Sequence, residues 1–190
     1  MGASRYNLID DYEMSGSVVE IGTERGEGST QYLIEACKKA GNKFYTVDFD
    51  YNAPSFPAAN QFRMTGEVFF EDHFPKEEKV CFAYLDGFDW IYDEADGWVP
   101  DWIPEQIEYY SRYGLEMNNE NSQLSHLTIS KAVAEQAAEK CVILFDDTFY
   151  DHHIEKYGGK GGTACYWLLE QGWHEISLND HGAVAFRNWE

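Results

Sequence analysis

The chain has 190 residues and a net charge of −20, from 34 acidic side chains against 14 Lys plus Arg, with 44% hydrophobic and 16% aromatic residues. Its length suits one domain, residues 1–190, with a sizeable core, and the acid excess repels phosphate backbones and anionic lipid surfaces, so neither nucleic acid nor membrane is expected as a partner. No apolar run reaches the ~18 residues that span a bilayer, and the N-terminus has no apolar signal core. Cys37, Cys81, Cys141 and Cys165 lack metal-type spacing, which predicts buried free thiols in a reducing, cytoplasmic compartment.

The first predicted strand is the β-branched run Val18-Val19-Glu20-Ile21, which breaks into Gly22, Gly26 and Gly28 and then into a helix over Gln31–Ala40. Ser29 or Thr30 is the expected N-cap. A strand, a glycine turn and a helix in succession form either a tight connection or a loop that lets a nucleotide-type cofactor approach the backbone. The spacing is G-x-x-x-G-x-G, whereas a dinucleotide site needs G-x-G-x-x-G. Glu24 stands where the second glycine would be, with Glu20 and Glu27 nearby. These charges disfavour a pyrophosphate, and with it an NAD-linked oxidoreductase, but accept a cationic or zwitterionic ligand.

A second strand is expected over Lys43–Asp48, placing Asp48 where a carboxylate can accept hydrogen bonds from ribose hydroxyls or cap a turn. Residues 52–61 read as loop and Gln61–Met64 as a third strand, followed by Gly66-Glu67. Lys79–Leu85 is the fourth strand and leads into Asp86-Gly87-Phe88-Asp89. Residues 91–121 form an aromatic-rich insertion, a lid or subunit contact, in which Asp101 and Pro104 mark a helix start. Exposed aromatics there suggest a homodimer. A helix over Gln123–Lys140 precedes a fifth strand, Cys141–Phe145, ending in Asp146-Asp147.

His152 and His153 come next, of which at most one faces inward, as a base or a metal ligand. Gly158-Gly159-Lys160-Gly161-Gly162 reads as a flexible loop. Thr163–Gln171 reads as a helix, and His174–Leu178 with Gly182–Arg187 as a terminal strand pair. Carboxylates at neighbouring strand ends repel unless they cap backbone groups or a cation sits among them, and an oxygen-rich donor set suits Mg2+, Mn2+ or Ca2+.

Val19-Glu20-Ile21-Gly22 followed by Gly26-x-Gly28-Ser29-Thr30 resembles the first motif of class I S-adenosylmethionine (SAM) dependent methyltransferases. Phe44–Asp48, Phe82–Gly87 and Val142–Asp147 resemble the later landmarks of that family in order. The resemblance implies an α/β, Rossmann-like, doubly wound seven-stranded sheet, mostly parallel with an antiparallel last strand and helices on both faces. It implies SAM binding by Glu20, Gly22, Thr23, Gly26, Gly28, Ser29, Asp48, Glu67 and Asp86.

The acids also resemble those of metal-dependent small-molecule O-methyltransferases of the catechol and macrocin types. That implies Mg2+ on Asp86, Asp146 and Asp147, a hydroxylated small molecule as acceptor, and Asp89, His152 or His153 as the base. Phe88 interrupts the sugar-type Asp-Gly-Asp pattern, and the catechol-type lysine after the first acid is missing. A non-catalytic SAM- or SAH-binding sensor or partner subunit is the alternative.

Overall fold

A computed structural model describes residues 4–5, 7–23, 26, 28–50, 52–92, 100–180 and 182–190. The chain runs through α1 (Leu8–Asp11), β1 (Ser17–Ile21), α2 (Ser29–Ala40), β2 (Lys43–Asp48), β3 (Asn60–Arg63) and α3 (Gly66–Val68). A π-helical turn, Phe69–His73, leads to β4 (Val80–Leu85), α4 (Ile103–Arg112) and α5 (Asn119–Glu135). Then come β5 (Ala137–Asp146), β6 (Thr148–Asp151), β7 (Lys156–Gly159), α6 (Gly162–Glu170), β8 (His174–Ile176) and β9 (Ala183–Arg187).

Seven strands form one sheet in the order β3-β2-β1-β4-β5-β9-β8. β1 to β5 pair in parallel, and β9 runs antiparallel between β5 and β8. The sheet is therefore the expected doubly wound one. β1 and β4 are buried along their whole length, because helices cover both faces and every side chain must be tolerated inside. Val19, Ile21, Leu85, Ile143 and Phe145 pack towards α5 and α6, where Ile129, Val133 and Leu168 meet them. Val18, Phe82, Val142 and Leu144 face α1 and α2, against Leu8, Leu33 and Cys37. All four cysteines are buried thiols.

The largest departures from expectation lie around β5. The helix predicted to Lys140 stops at Glu135, and Ala137–Lys140 extend β5 instead. Ala137 pairs with Val80, and strand pairing overrides the helix propensity of the Ala-Ala-Glu-Lys stretch. The turn-like Asn118–Ser122 is the start of α5, since the Asn118 side chain accepts from the Asn121 amide at 2.7 Å. The stretch around Gly158 and Gly159, expected as a flexible loop, is in part strand, since Lys156–Gly159 pairs with Thr148–Asp151 as the β6–β7 hairpin. Near the N-terminus, α2 begins at Ser29 with Gly28 as cap, and neither Ser29 nor Thr30 caps it. Of the insertion, Trp98, Asp93, Glu94 and Asp96 lie outside the described residues; Pro104 opens α4 as expected. Among the described residues, no helix is long and apolar enough to cross a membrane.

Candidate functional site

The strand order reverses between β1 and β4, and open α/β sheets bind ligands outside the carboxyl ends of their strands at that point. A cavity of about 530 Å3 opens there. Gly22 makes the crossing possible. Its φ is +97°, and a Cβ on it would come within 2.6 Å of the Asp86 carbonyl oxygen, so a larger residue would push the first loop off the β4 loop. The Gly22 amide donates to Val47 at 2.9 Å and the Asp86 amide to Ile21 at 2.8 Å, which ties the three strand ends together.

Of the residues that the sequence resemblance placed around SAM, Gly22, Asp48, Glu67 and Asp86 line this cavity. Glu20, Thr23, Gly26, Gly28 and Ser29 are not among its lining residues. Glu24 and Glu27 lie outside the described residues. Glu20 points to the other side of β1, fully buried, where it accepts hydrogen bonds from Ser29 at 2.7 Å, Thr30 at 2.9 Å and Thr46 at 2.6 Å. Burial raises its pKa, and the three hydroxyls only partly offset that. Ser29, expected as a cap or cofactor ligand, and Thr30, expected as a cap, serve Glu20 instead, because a one-dimensional motif does not say which side of the strand a side chain takes.

Asp50, which carries no motif signal in the sequence, also lines the cavity and accepts from the Tyr113 hydroxyl at 3.0 Å. Burial opposes its charge, but hydrogen bonds from Asn52, Tyr109 and Tyr113 outweigh that and hold its carboxyl below the ordinary range. α4 supplies the outer wall with Trp102, Gln106, Tyr109 and Tyr110. Tyr110 and Phe49 meet edge to face at 4.8 Å between ring centroids, joining this helix to the end of β2.

The acids at the ends of β4 and β5 do converge, but around a lysine. Lys160, inside the stretch read as a flexible loop, has a side chain only 2% exposed. Its Nζ lies 2.7 Å from Asp86, 2.9 Å from Asp147 and 3.9 Å from Asp89. Burial disfavours the ammonium, yet Asp86, Asp147 and Asp89 raise its pKa well above the usual lysine value. Burial raises the Asp86 carboxyl, with Lys160 pulling the other way. Burial likewise opposes the charge of Asp147, which Lys160 and a hydrogen bond from Tyr92 nonetheless keep below the ordinary range.

Asp146 leaves the group altogether. Successive strand residues point to opposite faces, and Asp146 turns to Arg5 at 2.6 Å and the Tyr84 hydroxyl at 2.5 Å. Arg5 also bonds Asp180, through Nε at 2.6 Å, and so joins the N-terminal segment to the β8–β9 turn.

The donor set expected for Mg2+ therefore does not fit a divalent ion. Asp86 and Asp147 share an ammonium, Asp146 faces a guanidinium on the far side, and no cluster of three or more metal-type side chains occurs among the described residues. The one sign in the sequence was a lysine flanked on each side by two glycines.

Asp89, expected as a base, lines the cavity; its amide donates to the Tyr110 hydroxyl at 2.8 Å and its carboxylate accepts from Gln106 at 2.6 Å. His152 and His153 do not line it. They are exposed in the turn of the β6–β7 hairpin, beyond the Asp151–Lys156 pair, at the end opposite Lys160. Consecutive histidines after Asp147 look close to the crevice in sequence, and the hairpin carries them away.

Many solved structures align with this chain, and two of them do so over nearly the whole of both chains. One is a protein of Streptococcus mutans assigned as a methyltransferase and solved with SAH, at 11% identity and TM-score 0.52, covering 98% of each chain. The chain shares the Rossmann-like fold of that structure. The other is a protein of Clostridium thermocellum assigned as an rRNA methylase, at 7% identity and TM-score 0.52, covering 98% of this chain and 97% of that one. No protein-family profile matches the sequence, and no curated protein is significantly similar to it.

Proposed function

We propose that this protein is a SAM-dependent methyltransferase that places a methyl group on a hydroxyl of a small molecule held between the β4 loop and α4. The observation that carries this reading is the cavity at the strand-order reversal, with Asp48 at the end of β2 on one side and the Asp86–Asp89–Lys160 group on the other. Asp48 accepts hydrogen bonds from the ribose hydroxyls of SAM, and Glu67 stands on the adenine side. Among the described residues, lining carboxylates Asp48, Asp50, Glu67, Asp86, Asp89 and Asp147 against the lining ammonium of Lys160 favour a cofactor with a net positive charge.

SAM supplies the electrophilic methyl group. With SAM bound, the acceptor oxygen would form its bond to that carbon as the carbon–sulfur bond breaks, leaving a neutral thioether, and Asp89 would take the hydroxyl proton on its carboxylate. Gln106 and Tyr110 fix Asp89 for this task. Because the acids that would hold Mg2+ are already matched by Lys160 and Arg5, the residues lend no support to a metal-assisted version of the step.

Calorimetric titration with SAM and SAH tests the reading. Micromolar binding is expected, weakened about tenfold or more by Asp48→Ala. With a panel of phenols and sugars, Asp89→Asn is expected to lower turnover by about two orders of magnitude while SAM affinity holds. Absence of SAM and SAH binding to the folded protein would overturn the proposal. Binding without transfer would favour the non-catalytic alternative.

A further inference from the structure

Lys160 is delivered into the carboxylates by a closely constrained backbone. Gly159 has φ +79°, and a Cβ there would lie 2.0 Å from the Asp147 carbonyl oxygen. The Lys160 amide donates to that same oxygen at 3.0 Å, and the Gly161 amide donates to the Thr148 hydroxyl at 2.9 Å. The β6–β7 hairpin thus returns the chain to the point where β5 ended. It sets an ammonium beside an aspartate that it left 13 residues earlier, and that aspartate itself carries φ 44°. The left-handed backbone of Asp147, with a lysine side chain almost wholly out of solvent, marks a built position rather than a surface ion pair.

We infer that Lys160 is the resident cation of this site and its positioning residue. Its ammonium holds Asp86 and Asp147 together at the ends of β4 and β5, and it occupies the position that a divalent ion would need. An ammonium has three N–H donors. Two are matched at bonding distance by Asp86 and Asp147, and the 3.9 Å separation from Asp89 is longer than a hydrogen bond. That leaves one N–H on a side chain that lines the cavity, and in this proposal it donates to the acceptor oxygen. Unlike a metal, it orients that oxygen without binding it tightly, and it is not lost to a chelator. The acceptor role rests on the methyltransferase reading above; the cation-replacement role does not.

A Mn2+ titration followed by electron paramagnetic resonance tests the replacement directly, since bound Mn2+ loses its sharp aqueous signal. The wild-type protein is expected to leave the signal unchanged at submillimolar ion. Lys160→Ala, which keeps Asp86, Asp89 and Asp147 but removes their cation, is expected to bind Mn2+ about tenfold or more tightly than wild type, and to gain several degrees of Tm from it. Adding Asp147→Asn to that variant removes a ligand and relieves repulsion; it is expected to fold and to lose most of the gained affinity.

Tight Mn2+ binding by the wild type would overturn the inference. So would a Lys160→Ala protein that folds but gains no Mn2+ affinity, or one that stays unfolded with Mn2+ present, because the ion is expected to take the place of the ammonium. SAM titration of the same samples separates this result from the methyltransferase reading. Retained SAM binding with no Mn2+ gain sinks only the role of Lys160, and Mn2+ gain without SAM binding sinks only the cofactor.

Discussion

His126 shows what burial does to a single side chain. It sits on α5 against Phe145, fully enclosed, with Nδ1–H donating to the Ser122 carbonyl at 2.7 Å and Nε2 without a partner among the described residues. Burial lowers its pKa from 6.5 to about 4, and the nearby Lys160 adds to the effect. The unfolded chain takes up a proton near 6.5 and the folded chain does not until about 4, so stability falls as pH drops through that window and levels off below it. The loss amounts to about 3 kcal/mol for that shift. Urea denaturation of wild type and His126→Leu between these pH values checks it; the variant is expected to show a flatter profile. An equally steep decline in both would assign the pH dependence elsewhere. The sequence marked Asp48 and Gly22 because their roles follow from their place after a strand. It did not mark His126 or Lys160, whose neighbours come from other parts of the chain.

Among the elements, the β6–β7 hairpin decides the most and was the least legible. Phe149 and Tyr150 favour a strand, but Asp151 to Glu155 and the four glycines around Lys160 look like loop by composition, so the pairing of Thr148 with Gly159 had no local sign. Glycine was read there as freedom, and in the structure it permits a conformation that other residues cannot take. Gly159→Ala is therefore expected to cost about 2–4 kcal/mol, through both the positive φ and the contact with Asp147. It should also displace Lys160. Chemical denaturation measures the first effect, and a Mn2+ affinity approaching that of Lys160→Ala would report the second. A variant as stable as wild type would mean that the hairpin does not constrain Lys160. By contrast β1, β2, β4, α2 and α6 were readable to within a few residues, because strands buried on both faces and amphipathic helices write their periodicity into the chain.

At the scale of the whole molecule, the charge of −20 opposes the compact state. Salt screens that repulsion, with a Debye length falling from ~30 Å at ~0.01 M to ~8 Å at ~0.15 M. Salt also weakens the exposed pairs Lys39–Asp10 and Arg112–Glu108, but such pairs contribute about 0–1 kcal/mol each. Net repulsion is the larger effect, so Tm is expected to rise by several degrees over that range. A fall in a salt series of thermal scans would mean that attractive pairs dominate. The sequence by itself determined the α/β class, the strand that opens onto the glycine loop, the acid after β2 and the acids after β4 and β5, because each is set by residues within a few positions of one another. Only the tertiary structure decided which face of β1 Glu20 takes, that the histidines point away, and that a lysine sits among the carboxylates. Those outcomes depend on contacts such as Lys160 with Asp86, 74 residues apart, and a chain read in one dimension carries no record of which distant groups its fold will bring together.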